Sequence, residues 1–332
     1  MSNKVLSTCN PLISCYPQHA FYMSIISEKE ECLPWIYSNY SNLFIDEAGF
    51  CDFIIKTPEY HLYPWFQGSQ RLHKNIIIKY KMDFIQFIKE SIDDNNYIVL
   101  DVDEFYLPCS QRYQKKHFIH HTMICGYDDE TLDFLIYGFY NQQKYSLRYV
   151  EYKDLEKAFL HSISAIDSRY IHLITYNENY SLNNFRYNIN LFKDQLYYHY
   201  NSIFAPALNP EVSFNLNSAE NLSTGLEIYN KLIEFYSMDF NNDHRPIYTL
   251  YEHKKFMNLK LRYLKENKYF IFSEKVYQGY EKLEIKTQSL LFLYIKYNVT
   301  KNSEIPQRCI EALSRIRDDE RELLGIALNE MN

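Results

Sequence analysis

Glycine is scarce in this chain, with 7 among 332 residues. No GxGxxG and no GxxxxGK[ST] occurs, which excludes the usual phosphate-cradling loops. Positive charge is also short: 35 Lys and Arg stand against 42 Asp and Glu, for a net charge of −7. Nucleic-acid binding has no electrostatic support from such a balance. The longest basic runs, Lys115-Lys116 and Lys254-Lys255, are only pairs. No apolar run approaches the roughly eighteen residues of a membrane-spanning helix, so no membrane partner is expected. The segment from Met1 to Cys15 lacks a basic start followed by an apolar stretch, so no signal peptide is expected. Seven cysteines fall at irregular spacings with no CxxC pair. An odd count without paired spacing argues against a disulfide framework and against a Cys-only zinc site. A reduced, cytoplasmic protein is expected.

What is present is a globular composition, 46% hydrophobic and 23% charged, with 33 tyrosines. From Cys15 the stretch SCYPQHAFYMSIISE reads as a helix, because Pro17 is tolerated only in a first turn. Cys51–Thr57 and Asn75–Lys81 read as short strands. Asp83–Ile92 has helical spacing, with Phe84, Ile85, Ile88 and Ile92. Asn96–Asp103 reads as a buried strand. His121–Gly126 reads as an apolar strand, and Thr131–Tyr137 and Lys144–Val150 alternate with period two. Lys153–Leu160 reads as a short helix and Arg169–Thr175 as a last strand. Beyond about residue 178 the period becomes 3.6 throughout. The fold class is therefore α+β, followed by an all-helical C-terminal region. Residues 1–177 form the expected catalytic domain and 178–332 the helical one.

The order of elements carries the chemistry. A cysteine opens a helix, a histidine opens a strand about a hundred residues later, and antiparallel strands follow. Papain-like cysteine proteases are built in this order. The helix N-terminus favours a thiolate, and an imidazole across the cleft completes the activated pair. Cys15 and His121 fit these roles. Cys109, after Pro108 in a loop, is the other candidate nucleophile, whereas buried cysteines are ordinarily structural. HFIHH groups His117, His120 and His121 and leaves open a metal site with Asp103 or Asp128. HxxHH is not a zinc spacing, so no metal is expected. Asp101 and Asp103 share a strand face and either line the cleft to bind an amine or form a solvated face.

NPLISCYPQHAFYMSII, VLDVDEFYLP and HHTMICGYDDETLDFLIYG resemble the N-terminal domain family of butirosin biosynthesis protein H. The resemblance covers residues 10 to about 160 and extends to the peptidases that trim double-glycine leaders. It is also similar to the transferase that forms amide bonds in closthioamide assembly. It implies acyl transfer from a carrier-protein thioester to Cys15 and then to a small amine, with His121 as base. No cofactor is implied beyond the phosphopantetheinyl group of the acyl or peptidyl carrier protein. The family's orienting Asp is replaced by Gly138, which leaves Asn141 for the third role and Tyr140 behind it. The oxyanion Gln position is Cys9, and Asn10 is the nearest side-chain amide. A cysteine peptidase or amidase and a non-catalytic protease-fold binding protein are the alternatives. The helical half is open to carrier-protein docking, to homodimer formation or to covering the cleft.

Overall fold

The computed structural model describes residues 3–55, 64–66, 68–141, 144–162, 170–178, 186–204, 222–240 and 243–332. The side chain of Asn141 is not among them. In chain order the elements begin with β1 (Asn3–Val5), α1 (Pro17–Ile26), α2 (Leu33–Ser38), β2 (Asn42–Ile45) and β3 (Cys51–Ile54). Next come β4 (Gln70–His73), α3 (Asn75–Lys79), α4 (Phe84–Asp93), β5 (Asn96–Asp103) and β6 (Ile119–Asp128). These lead into β7 (Asp133–Asn141), β8 (Lys144–Glu151), α5 (Tyr152–His161) and β9 (Tyr170–Thr175). The rest is α6 (Ile189–Asn201), β10 (Ser223–Thr224), α7 (Glu227–Met238), α8 (Arg245–Glu266), α9 (Glu274–Thr300) and α10 (Ile305–Glu330).

The chain divides into two compact units: Met1–Lys29 with Glu59–Asn184, and Glu30–Pro58 with Phe185–Asn332. The sequence pattern suggests a single boundary near 177/178. The units instead part at Asn184/Phe185, and the early excursion Glu30–Pro58 belongs with the C-terminal helices.

The first unit is built on an antiparallel sheet of order β4-β9-β5-β6-β7-β8, with β1 beside β6. β5 is buried along almost its whole length, as its run of apolar residues requires. α4 starts where the Asp83 carboxylate accepts the Gln86 N–H at 3.0 Å, an N-cap. It buries Phe84, Ile88 and Ile92, one per turn. Phe84 stacks on Phe159 of α5 at 4.5 Å between ring centroids. α1 is buried on all sides from His19 to Ile26, so its sequence is apolar all round rather than amphipathic. Gly126 lets β1 approach β6: a Cβ there would lie 2.8 Å from the Lys4 carbonyl oxygen.

One expected strand is a helix. Ile76, Ile77 and Ile78 carry the β preference of branched side chains. The β4–β9 ladder nevertheless ends at His73↔Tyr170 among the described pairs, and residues 75–79 close their hydrogen bonds locally in α3. Only Ile77 of the three is buried.

In the second unit the long helix α9 packs against both α8 and α10, and α7 packs against α10. Tyr229, Tyr236, Tyr280 and Tyr294 lie in its core, which explains much of the tyrosine content of these helices. The C-terminal region is not all helical. β10 pairs with β2, and β2 with β3, into a three-stranded antiparallel sheet inside this unit. A two-residue strand has too short a period to be read from sequence. Among the described residues, no helix is long and apolar enough to cross a membrane.

Candidate active site

The site lies within the first unit. Antiparallel pairing sets Asp101 of β5 directly opposite His121 of β6. Side chains at paired positions share a face, so the carboxylate and the imidazole meet. His121 Nδ1 is ion-paired to Asp101 Oδ1. The imidazole remains 57% exposed, while the carboxylate is 8% exposed. The solvated-face reading of Asp101 and Asp103 is thereby excluded, since both residues are buried.

The same sheet face is covered by α1 and the segment before it. By alternation along β6, His121 faces as Met123 does, and Met123 is paired with Tyr137 of β7. The Tyr137 hydroxyl lies 3.1 Å from Thr8 Oγ1, and its ring stacks on Tyr145 at 5.0 Å. Tyr145 is hydrogen-bonded to Ser24 of α1 at 3.0 Å and touches Phe21. Cys9 anchors the incoming chain, its N–H donating to the Ser24 carbonyl at 2.7 Å.

Cys15 sits just ahead of this helix. Tyr16 is the N-cap, Pro17 opens the first turn, and no acidic residue stands in that turn. The positive end of a helix dipole is a setting that favours a thiolate. Cys15 is buried, and a ring nitrogen of His19 lies within 4.8 Å of its Sγ. His19 escaped the sequence reading. Its signal was available, because a residue four positions along a helix falls on the same face.

The other histidines have their own carboxylates. His117 Nδ1 lies 2.6 Å from Asp103 Oδ2, and the Phe105 and Phe118 N–H groups donate to Asp103 Oδ1. Burial pushes the Asp103 carboxyl up, but His117 and these two N–H groups hold it below its ordinary value. His120 Nδ1 lies 3.1 Å from Glu104 Oε1, and Ser110 and Arg112 donate to Glu104 Oε2 at 2.6 and 2.9 Å. Burial raises the Glu104 carboxyl as well, and His120, Ser110 and Arg112 together bring it below its ordinary value. HFIHH is therefore three separate acid–imidazole pairs. Burial pushes the Cys109 thiol up to about 12, which weakens it as a nucleophile.

The remaining candidates are spread out. Asn10 is exposed in the segment between β1 and α1. Asn141 closes β7 opposite Lys144, and its side chain lies outside the described residues. At Gly138 a Cβ would meet the Tyr140 ring at 2.5 Å, so no larger residue fits there without moving that ring. By the strand pleat, Gly138 and Tyr140 point away from the face of Tyr137 and His121. The carboxylate on His121 comes from the preceding strand of the chain instead. In comparisons with known proteins, no family model and no curated protein matches this chain.

Proposed function

We propose that the first unit is a papain-like cysteine acyltransferase, with Cys15 as nucleophile, His121 as base and Asp101 as the residue that orients the base. The carrying observation is the His121–Asp101 pair on the sheet face beneath α1, the helix that Cys15 precedes. A buried carboxylate on Nδ1 fixes the tautomer and leaves Nε2 for proton transfer.

In this reading the Cys15 thiolate attacks the carbonyl of a carrier-protein thioester. The carbon–sulfur bond to the pantetheine arm breaks, and His121 gives that thiolate a proton. An amine then attacks the Cys15 thioester, His121 takes the amine proton, and the Cys15 thiolate leaves as the amide forms. Helix-end N–H groups are suited to the oxyanion. Asn10 and Asp103 remain candidate substrate contacts. An acyl or peptidyl carrier protein and a small amine would be the partners, in amide-forming natural-product assembly.

Intact-protein mass spectrometry after mixing with acyl-loaded carrier protein should give an acyl adduct on Cys15, discharged by a diamine. No adduct, together with unchanged turnover in Cys15→Ala, would refute the reading. The well-oriented imidazole also favours a second reading, a peptidase or amidase, because amide hydrolysis demands a stronger base arrangement than thioester transfer. Cleavage of a leader peptide or simple amide without any amine acceptor would select it.

A further inference from the structure

Behind Asp101 lies a buried cation for which acyl transfer has no use so far. Lys74, at the N-cap of α3, is almost wholly inside the protein. Its Nζ is 3.8 Å from Asp101 Oδ2, the carboxylate oxygen that does not face His121. The same ammonium donates to Ser162 Oγ at 3.0 Å and approaches the Asp101 carbonyl at 3.4 Å. Ser162 in turn donates to that carbonyl at 2.7 Å, at the C-cap of α5. The negative end of the α5 dipole is therefore beside the ammonium. The Phe159 ring lies 5.6 Å from Nζ and completes the enclosure.

We propose that Lys74 is a positioning residue for the base: tethered by Ser162, its ammonium holds one Asp101 oxygen so that the other faces His121 Nδ1. The inference rests on the reading of His121 as the base. An ammonium does not come to rest in an apolar interior without a charge partner, because desolvation is costly. Here burial pushes Lys74 down to about 8, with Asp101 acting against that shift. Lys74 therefore remains mostly charged at neutral pH.

The charge has a second effect: removing it would leave the pull of the Asp101 carboxylate on a His121 proton unopposed. Among the described residues, titratable groups near the pair include His120, whose ring centroid is 6.3 Å from that of His121, and its partner Glu104. Asp103, His117 and Arg112 lie further along the same strands and loop.

An NMR titration of the His121 ring in the full-length protein tests this without any substrate. Lys74→Met should raise the His121 pKa by roughly one unit, the scale of a lost partly shielded charge. The pH at which Cys15 alkylation reaches half its maximum should change together with it. A folded Lys74→Met with an unchanged His121 titration overturns the proposal. Should that variant fail to fold, Ser162→Ala loosens only the tether. It should shift His121 in the same direction by a few tenths of a unit, and no shift again overturns the proposal. Failure of the acyltransfer reading would appear elsewhere, as a missing Cys15 adduct with the titration response intact.

Discussion

The two units bury charge in opposite ways. In the first, three buried carboxylates each hold a histidine that reaches solvent, with exposures of 57% for His121, 64% for His117 and 24% for His120. In the second, Lys254 and Glu320 pair with each other at 0% exposure. Around them, Tyr229 donates to Glu320 Oε2 at 2.6 Å, His199 Nε2 lies 3.3 Å from Oε1, and Lys254 bonds His253 Nδ1 at 2.9 Å. His253 Nε2 closes on the Ser41 carbonyl at 2.7 Å. A closed network of this kind fixes helices. A buried acid behind an accessible imidazole suits proton transfer, and this difference is why we propose the first unit as the seat of chemistry.

Breaking the closed network should have the largest effect. Glu320→Ala strands the Lys254 charge and should cost about 3–5 kcal/mol of stability. The double variant Lys254→Met with Glu320→Met should lose much less. The tryptophans separate the units, since Trp65 belongs to the first and Trp35 to the second. Urea titrations of Trp35→Phe and Trp65→Phe backgrounds should place the Glu320→Ala loss on the transition that Trp35 reports. A loss seen equally by both would erase the contrast.

Asp101→Asn should act on the other side of the comparison. Acylation of Cys15 is expected to fall by roughly 10²-fold or more, because the imidazole loses the group fixing its tautomer. The Trp35-reported transition should stay where it is. Undiminished acylation in a folded Asp101→Asn protein would make the Asp101–His121 pair merely structural.

Acid should also distinguish the units. Burial, and next the Lys254 charge, holds His253 well below its ordinary value of 6.5. The unfolded imidazole binds protons that the folded one refuses, so stability in the second unit should decline as pH falls below about 6.5. In the first unit, Asp103 and Glu104 are held below 3.8 and 4.5. Their contribution is present above those values and is lost only as pH falls through the folded ones. Urea midpoints at pH 7, 5.5 and 4 should therefore fall first in the second unit. The smallest effect is local: Asp83→Ala removes the α4 cap and should cost about 1 kcal/mol on the Trp65-reported transition.

Local pattern revealed most of the sheet and little of the site's wiring. β5 matches its expected span, Asn96–Asp103, and the apolar run from His121 and the alternation from Lys144 mark β6 and β8. Asp101 was visible as a strand-face acid. Its role as the partner of His121 depends on a register set across the loop from Glu104 to Phe118, which no local period encodes. Lys74 gave no signal at all, lying in a basic dipeptide before three isoleucines that themselves suggested a strand. The excursion Glu30–Pro58 was hidden for a similar reason, because β2 and β3 are short and their third strand, β10, comes from residues 223–224.

The central claim is that Cys15 is an activated thiol served by His121, and site-resolved alkylation tests it most directly. Burial raises five of the other thiols, with Cys109, Cys125 and Cys309 pushed up to about 12 and Cys9 and Cys51 also raised. With limiting iodoacetamide at pH 7, Cys15 should be labelled before these five, and His121→Ala should slow it by ten-fold or more. Labelling of Cys15 no faster than that of Cys9, or a rate indifferent to His121→Ala, would contradict the account.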